Sequence, residues 1–184
     1  MNMKNPDLQR RALLGSMLAM AVGQASAGAA PALRDHGAAP EFSGIEQWLN
    51  SPALSLAGLR GKVVLVDFWT YSCINCQRTL PFVNRWAETY KSQGLVVVGV
   101  HTPEFPFERS TRNVEAAMKR LGVKHPVAQD NRYATWKAYQ NQYWPAVYLV
   151  DAQGRVRFTQ FGEGRYAETE AAIQALLASA VAAR

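Results

Sequence analysis

Two runs of apolar residues, neither of which alternates with polar residues, dominate the hydrophobic pattern of the chain. Residues 63–69 (VVLVDFW) and 95–100 (LVVVGV) each have the length of a strand. Because neither run has a polar face, both faces of each strand must be covered, as in the central strands of a sheet flanked by helices. The segment between them has apolar residues at helical spacing and predicts a helix from Cys73 to Gly94, a residue suited to a C-terminal cap. This β–α–β order predicts a parallel pair of strands.

The second half of the chain predicts shorter elements. They are expected at 110–121 (a helix), 126–128 (a strand), 133–139 (a helix), 146–150 and 156–159 (a β-hairpin) and 167–181 (a helix). The hairpin is indicated by the turn sequence DAQG at 151–154 between two apolar runs. The pattern contains no internal repeat, and it predicts one α/β domain over residues 43–184.

The first 27 residues have the features of an export signal. A basic stretch ending in Arg10-Arg11 precedes an apolar segment, and small residues then predict cleavage after Ala27. The arginine pair resembles a twin-arginine signal, and a general secretory signal is the alternative. Either route predicts a protein of the periplasm or another extracytoplasmic space. Residues 28–42, rich in Ala, Gly and Pro, are expected to form a flexible lead-in.

Composition and charge exclude several classes of protein. The chain has 184 residues, of which 48% are hydrophobic and 18% charged, and this argues against wholesale disorder. No apolar run reaches the roughly 18–20 residues needed to cross a bilayer, so we expect no transmembrane segment in the mature chain. The net charge of +6 comes from scattered residues without a Lys/Arg run, so nucleic acid is not an expected partner.

The two cysteines carry the clearest chemical signal. Cys73 and Cys76 are the only cysteines of the chain. A structural disulfide framework needs several cysteines and a tetrahedral zinc site needs four ligands, so this pair favours a redox couple. Cys73 is expected at the start of a helix, where unpaired N–H groups and the helix dipole stabilise a thiolate. It is therefore predicted to be the attacking sulfur, and Cys76 the resolving one.

The residues around this pair resemble the thioredoxin superfamily and, within it, the TlpA- and DipZ-type proteins. The resemblance rests on VLVDFW at 64–69, CINC at 73–76 followed by Pro81, WTYSCINCQR at 69–78, HTPEF at 101–105, WPAVYLVD at 144–151 and FGEG at 161–164. It implies a thioredoxin fold, with a central mixed β-sheet flanked by helices, an inserted helix–strand segment and an N-terminal extension. It also implies a protein disulfide oxidoreductase that needs no bound cofactor, its redox group being a disulfide between Cys73 and Cys76.

The resemblance further implies a catalytic role for Asp67. This residue precedes Cys73 by six positions and matches the buried acid of thioredoxins, which exchanges a proton with the second thiol. An ionised carboxylate in an apolar strand is costly without a partner, which fits such a role. The simpler interpretation is a strand-end Asp satisfied by the backbone or by Lys62.

Substrate-binding residues are implied on two segments. Trp144-Pro145 matches the cis-proline of the fold, which predicts a cis bond beside the dithiol. Trp69, Tyr71 and Trp144 are expected to form an apolar rim around Cys73, unless Trp69 belongs to the core.

Partners follow from the same resemblance. The expected substrates are disulfides of exported proteins, with a link to cytochrome c assembly. DipZ-type proteins carry a transmembrane electron-transfer region in the same chain, so here a separate membrane protein is expected to donate the electrons.

Two other functions remain open at this point. Thr70 and Cys73 have the Thr-x-x-Cys spacing of peroxiredoxins, which suggests a thiol peroxidase, although no arginine is assignable to polarise the peroxide. A Sco-type copper-binding assembly factor is the other, because thiolates suit Cu(I). His101 and His125 are the candidates for its additional ligand.

Overall fold

A computed structural model describes residues 33–182. The elements are β1 (Gln47–Leu49), β2 (Val63–Trp69), α1 (Ile74–Thr89), β3 (Leu95–His101), α2 (Thr111–Leu121), β4 (Val127–Gln129), α3 (Ala134–Ala138), β5 (Ala146–Val150), β6 (Val156–Phe161) and α4 (Tyr166–Ala182). Two 3-10 turns, Lys91–Gln93 and Pro106–Arg109, flank β3. Within the described part of the chain, no helix has the length and apolar character required to cross a membrane. The predicted export signal, residues 1–27, lies outside the described residues.

The six strands form one mixed sheet in the order β1-β4-β3-β2-β5-β6. Strand β2 pairs in parallel with β3 and antiparallel with β5, so both of its edges are hydrogen-bonded. All seven of its residues are buried, as its continuous apolar run predicted. The expected mixed sheet flanked by helices is therefore confirmed.

Helices cover both faces of this sheet. On one face, α1 and α4 pack against β2, and Leu65 meets Trp86 and Ile173 in a single apolar cluster. On the other face, Phe68 packs against Trp136 of α3 with the rings at a right angle, 5.7 Å apart. Because the side chains of β2 alternate between these two clusters, each face of the strand anchors a different layer of the domain.

A third apolar cluster lies beneath the start of α1. It joins Trp69 at the end of β2 to Cys76 and Leu80 of α1 and to Val114 and Met118 of α2. Helix α2 is amphipathic and buries this stripe while its polar side faces solvent. The second cysteine of the pair is therefore part of the hydrophobic core.

The boundaries of two elements differ from those that the sequence predicts. Helix α1 ends at Thr89, not at Gly94, because Tyr90 leaves the helical conformation (φ −103°, ψ 1°) and a 3-10 turn follows. Gly94 still ends this turn with a φ of 105°, which a glycine adopts readily. Strand β1 was not predicted, because only three residues pair with β4, too few for a recognisable pattern.

The described part of the expected lead-in, residues 33–42, lies along the β5–β6 hairpin. The backbone N–H groups of His36 and Ala39 donate hydrogen bonds of 2.9 Å to the carbonyl oxygens of Val156 and Gly154. The composition of this segment indicated flexibility. The sequence contained no signal for the pairing, because the pairing depends on the geometry of a hairpin that is distant in the chain.

Gly99, at the centre of β3, supports a prediction about packing above the sheet. A Cβ atom at this position would lie 2.8 Å from Trp69 Nε1, 3.2 Å from His125 Nε2 and 3.3 Å from Val127 Cγ2. We expect Gly99→Ala to lower the free energy of unfolding by about 1–3 kcal/mol, measured by urea denaturation, because the rings are held in the core. Gly58→Ala is the control, since its Cβ would meet only Ser55, 3.1 Å from the hydroxyl oxygen and 3.6 Å from the carbonyl oxygen, and we expect a change within about 0.5 kcal/mol. Equal effects of the two substitutions would contradict the prediction.

Candidate active site

Cys73 connects the end of β2 to the start of α1. It is the N-cap residue of α1, with an extended backbone (φ −69°, ψ 116°), and its Sγ accepts a hydrogen bond of 3.2 Å from the N–H of Cys76. Both cysteines are free thiols in this structure. Cys73 is partly exposed, whereas Cys76 is only 1% exposed. The two sulfurs therefore lie one helical turn apart, with only the first accessible from solvent.

This arrangement separates the acidities of the two thiols. The hydrogen bond with the Cys76 thiol, with help from the N–H groups of Cys76 and Asn75, lowers the pKa of Cys73 to about 7, against the effect of burial. The nearby charge of Glu104 opposes this shift. Burial raises the pKa of Cys76 well above its ordinary value. Cys73 is therefore the thiol that ionises near neutral pH, whereas Cys76 keeps its proton.

Asp67 is a buried carboxylate without a hydrogen-bond partner for Oδ1. The side chain is 1% exposed, and in the sheet Asp67 pairs with Gly99 of β3 on one side and with Val147 of β5 on the other. Desolvation, followed by the charge of Cys73, raises its pKa to about 7. The simpler interpretation, a strand-end Asp satisfied by the backbone or by Lys62, does not fit an Oδ1 without a hydrogen-bond partner, and a pKa of about 7 allows Asp67 to hold or release a proton at neutral pH.

The predicted cis-proline lies at the same end of the sheet. The Trp144–Pro145 bond is cis, as predicted. The next residue, Ala146, pairs with Phe68, and this register places Pro145 beside the end of β2 that leads to the dithiol. Trp144 is half-buried, and its indole N–H donates a hydrogen bond of 3.0 Å to the carbonyl oxygen of Thr102.

The residues proposed for the apolar rim do not all lie at the surface. Trp69 is fully buried and belongs to the core beneath the dithiol, so it does not form part of the rim. Tyr71 is half-buried and stacks on His101, with ring centroids 5.7 Å apart. Its hydroxyl donates a hydrogen bond of 3.2 Å to the carbonyl oxygen of Phe107. Tyr71 and Trp144 both pack against the apolar cluster that also contacts Cys73.

Glu108 is a second buried carboxylate close to the dithiol, and it was not among the residues predicted from the sequence. Its Oε1 accepts hydrogen bonds from the N–H (3.2 Å) and the hydroxyl (2.5 Å) of Ser72. Its Oε2 accepts from the N–H groups of Glu104 (2.6 Å) and Phe105 (2.9 Å). Burial alone would raise the pKa of Glu108, but these donors, together with the Thr70 hydroxyl, outweigh it and hold the pKa below its ordinary value. The sequence shows only two acids in an aromatic segment, EFPFE at 104–108, and nothing in that pattern indicates that the second is buried.

The two candidate histidines are both buried. His101 lies over Thr70, with 3.3 Å between Nε2 and the hydroxyl oxygen, and burial lowers its pKa to about 4. His125 lines a cavity of about 400 Å³ at the far end of α1, and burial likewise lowers its pKa to about 4. Among residues 33–182, no group of three His, Cys, Asp or Glu side chains is arranged to hold a metal ion.

Comparison with known proteins identifies related sequences. The Redoxin family model matches residues 35–177. Protein DipZ of Mycobacterium tuberculosis is 53% identical over 148 residues, which are 79% of this chain and 21% of that protein. The chain therefore spans about a fifth of the length of DipZ.

Smaller relatives match over most of their own length. Thiol-disulfide oxidoreductase YkuV of Bacillus subtilis is 31% identical over 123 residues, which cover 67% of this chain and 82% of YkuV. Among solved structures, the thioredoxin-like superfamily protein SPOA0173 superposes with a TM-score of 0.71 and 29% identity, covering 76% of this chain and 96% of that one. The predicted thioredoxin fold is thereby confirmed.

The raised pKa of Asp67 predicts a pH-dependent stability. The folded protein binds this proton up to about pH 7, whereas the unfolded chain releases it near the ordinary value of 3.8, so stability falls as pH rises through this window. We expect Asp67→Asn to raise the free energy of unfolding at pH 8 by about 1–3 kcal/mol, after allowance for the buried amide that it introduces. The gain should disappear near pH 4, as measured by urea denaturation at both pH values.

Asp35→Asn provides a matched control for this experiment. Asp35 is exposed, and its hydrogen bond with Arg155 lowers its pKa. Its contribution to stability therefore increases as the pH rises, whereas that of Asp67 decreases. A stabilisation by Asp67→Asn that is the same at pH 4 and pH 8 would show that Asp67 does not titrate in this window.

Proposed function

The chain belongs to the Redoxin family, as a thiol–disulfide oxidoreductase of thioredoxin fold similar to DipZ, and on this premise we propose that it reduces the disulfides of exported proteins. The supporting observation is the contrast between the two cysteines, one partly exposed with a pKa of about 7 and one buried and protonated. No bound cofactor enters this reaction. The electrons come from the dithiol itself, which ends as the Cys73–Cys76 disulfide.

The first step is an attack by the Cys73 thiolate on the substrate disulfide. A bond forms between Cys73 Sγ and one substrate sulfur, while the second substrate sulfur leaves as a thiolate and takes a proton from water. A thiol whose pKa is near the ambient pH combines a substantial thiolate fraction with good nucleophilicity. The Cys76 thiol and the N–H groups of Cys76 and Asn75 at the start of α1 supply the required stabilisation.

The second step transfers the mixed disulfide to Cys76. The Cys76 sulfur attacks Cys73, and the remaining substrate sulfur leaves as a thiolate, so that two electrons have moved to the substrate. For this attack Cys76 must lose a proton that burial holds tightly. Asp67, whose pKa is about 7 and which lies beneath the dithiol on β2, is the proposed acceptor of this proton.

The pKa of Cys73 supports reduction over oxidation. Attacking cysteines of this fold have a pKa of about 7 in thioredoxin and about 3.5 in DsbA, the strong oxidant whose reduced form is stabilised. Because the pKa of Cys73 is about 7, the reduced form of this protein gains little stability from ionisation of the thiol. The dithiol is therefore poised to donate electrons.

The distribution of exposed apolar side chains supports a polypeptide substrate. Among the described residues six large hydrophobic side chains are exposed, and five of these lie where β2, β3 and β6 end and β5 begins. They are Ile74, Phe105, Phe107, Tyr143 and Phe161. With Tyr71, Trp144 and Pro145 they border the end of the sheet that carries Cys73, and a protein chain would cover this surface in the mixed disulfide.

We further infer that the reaction takes place outside the cytoplasm. The basic and apolar leader with its small residues before Ala27 supports export to the periplasm or an equivalent space. A protein that reduces disulfides there needs a continuing supply of electrons, for which we propose a separate membrane protein. The similarity to DipZ supports a link to cytochrome c assembly.

The order of the two thiols predicts which variant accumulates the intermediate. Reduced Cys76→Ser protein, mixed with insulin as a disulfide-bonded polypeptide, should accumulate a mixed disulfide visible on a non-reducing gel. Reduced Cys73→Ser protein should accumulate at least about tenfold less, because Cys76 is buried and protonated. The opposite pattern would show that Cys76 is the nucleophile.

The direction of electron transfer is tested by the reduction potential. Equilibration of the wild-type protein with glutathione should give a potential near or below about −220 mV, in the range of proteins that reduce their partners. A value near about −120 mV, as in DsbA, would mean that the protein donates disulfides.

A further inference from the structure

Glu108 combines full burial with proximity to the nucleophile. The side chain is 0% exposed, yet its lowered pKa keeps it ionised at neutral pH. Neither a lysine nor an arginine forms a salt bridge with it among the described residues. Its charge is held instead by two hydrogen bonds from Ser72 and two from the backbone N–H groups of Glu104 and Phe105, and a hydrogen bond with the Thr70 hydroxyl also lowers its pKa. Such an arrangement is costly to build, because a buried charge without a counter-ion needs every one of its donors.

The two donors from Ser72 matter because Ser72 directly precedes the nucleophile. A serine beside a cysteine at a helix N-terminus offers an N–H and a rotatable O–H that could both stabilise a thiolate. Here both are directed to Glu108 Oε1, and the O–H contact of 2.5 Å is a short, charge-assisted hydrogen bond. The donors that lower the pKa of Cys73 come instead from Cys76 and Asn75.

We propose that Glu108 is a positioning residue for the redox reaction: its buried carboxylate engages both donors of Ser72 and thereby leaves the Cys73 sulfur with donors from α1 alone. The same carboxylate holds the turn that carries Glu104 and Phe105 beside the nucleophile. Glu108 touches neither thiol, and it acts on Cys73 through Ser72.

The consequence of this arrangement is a less stabilised thiolate. Each additional hydrogen bond to a thiolate favours the reduced form of the dithiol and makes the protein a weaker reductant. Because Glu108 binds both donors of Ser72, neither donor stabilises the Cys73 thiolate, and the dithiol remains a stronger reductant. This inference rests on the proposed function, in which the dithiol gives up electrons.

The test is a double-mutant cycle between Glu108 and Ser72, read out as the pKa of Cys73 from the pH dependence of its alkylation by iodoacetamide. In Glu108→Gln the neutral amide has a single acceptor oxygen, so the Ser72 hydroxyl is free to turn toward the sulfur. We expect the pKa of Cys73 to fall by at least about half a unit. The equilibrium with glutathione should shift about twofold to fivefold toward the dithiol.

The Ser72→Ala substitution distinguishes this mechanism from a simple loss of charge. In the wild-type background it should leave the pKa of Cys73 unchanged, because the hydroxyl is already engaged. In the Glu108→Gln background it should restore more than half of the fall. If Ser72→Ala has the same effect in both backgrounds, the two residues are uncoupled and the proposal is wrong.

Glu104→Gln is the matched charge control. The exposed Glu104 carboxylate raises the pKa of Cys73 by its charge, and its side chain takes no part in binding Ser72. Removal of this charge should lower the pKa of Cys73. The decrease should become smaller as the salt concentration rises, and it should be additive with the effect of Ser72→Ala.

Two further measurements keep the experiment decisive. If Glu108→Gln does not fold, as judged by circular dichroism, Ser72→Ala alone decides: an unchanged pKa supports the proposal, and a rise of about half a unit or more overturns it. Failure of the wild-type protein to reduce insulin would reject the proposed function. The thiol pKa values would still show whether Glu108 controls Ser72.

Discussion

Complete burial of strand β2 is the constraint on which the rest of the structure depends. A strand with no exposed residue needs a partner on each edge and a helical layer on each face, and here β3, β5 and the helices on both sides provide them. The chain emerges beyond its carboxyl end, and Cys73 lies there at the first turn of a helix whose remainder is anchored in the core.

The site contains two buried carboxylates, and the pKa values of the two are shifted in opposite directions. Glu108 accepts hydrogen bonds from Ser72, from the Thr70 hydroxyl and from the backbone N–H groups of Glu104 and Phe105, and its pKa is lowered, so it remains a fixed negative charge. Asp67 has an unpartnered Oδ1 in an apolar environment, and its pKa is raised to about 7. The difference in the number of hydrogen-bond donors therefore explains why Glu108 only orients its neighbours, whereas Asp67 is able to exchange a proton.

The sequence predicted those features that depend on local pattern. The bounds of β2, the N-terminal position of Cys73 in α1 and the end of α2 at Gly122 all follow from apolar runs and cap residues, and they are observed. The missed features depend on contacts between distant segments. Glu108 is defined by a hydrogen bond to a residue 36 positions away, and β1 pairs with a strand some eighty residues later in the chain. Trp69 was left open between the rim and the core, because the sequence does not distinguish an aromatic residue under a site from one around it, and its full burial decides for the core.

The different roles of the two cysteines follow from the steep change in burial over one helical turn. Cys73 lies at the cap, where N–H groups without helical partners converge and water has access, so charge on its sulfur is stabilised. Cys76 lies one turn further along, packed with Trp69 and Leu80, where a charged sulfur would be desolvated. In the proposed reaction the outer sulfur therefore attacks first, and the inner one follows once a neighbouring base accepts its proton. Because Asp67 lies on the strand that leads into the same turn, the burial that keeps the second thiol protonated also raises the pKa of the carboxylate proposed as that base.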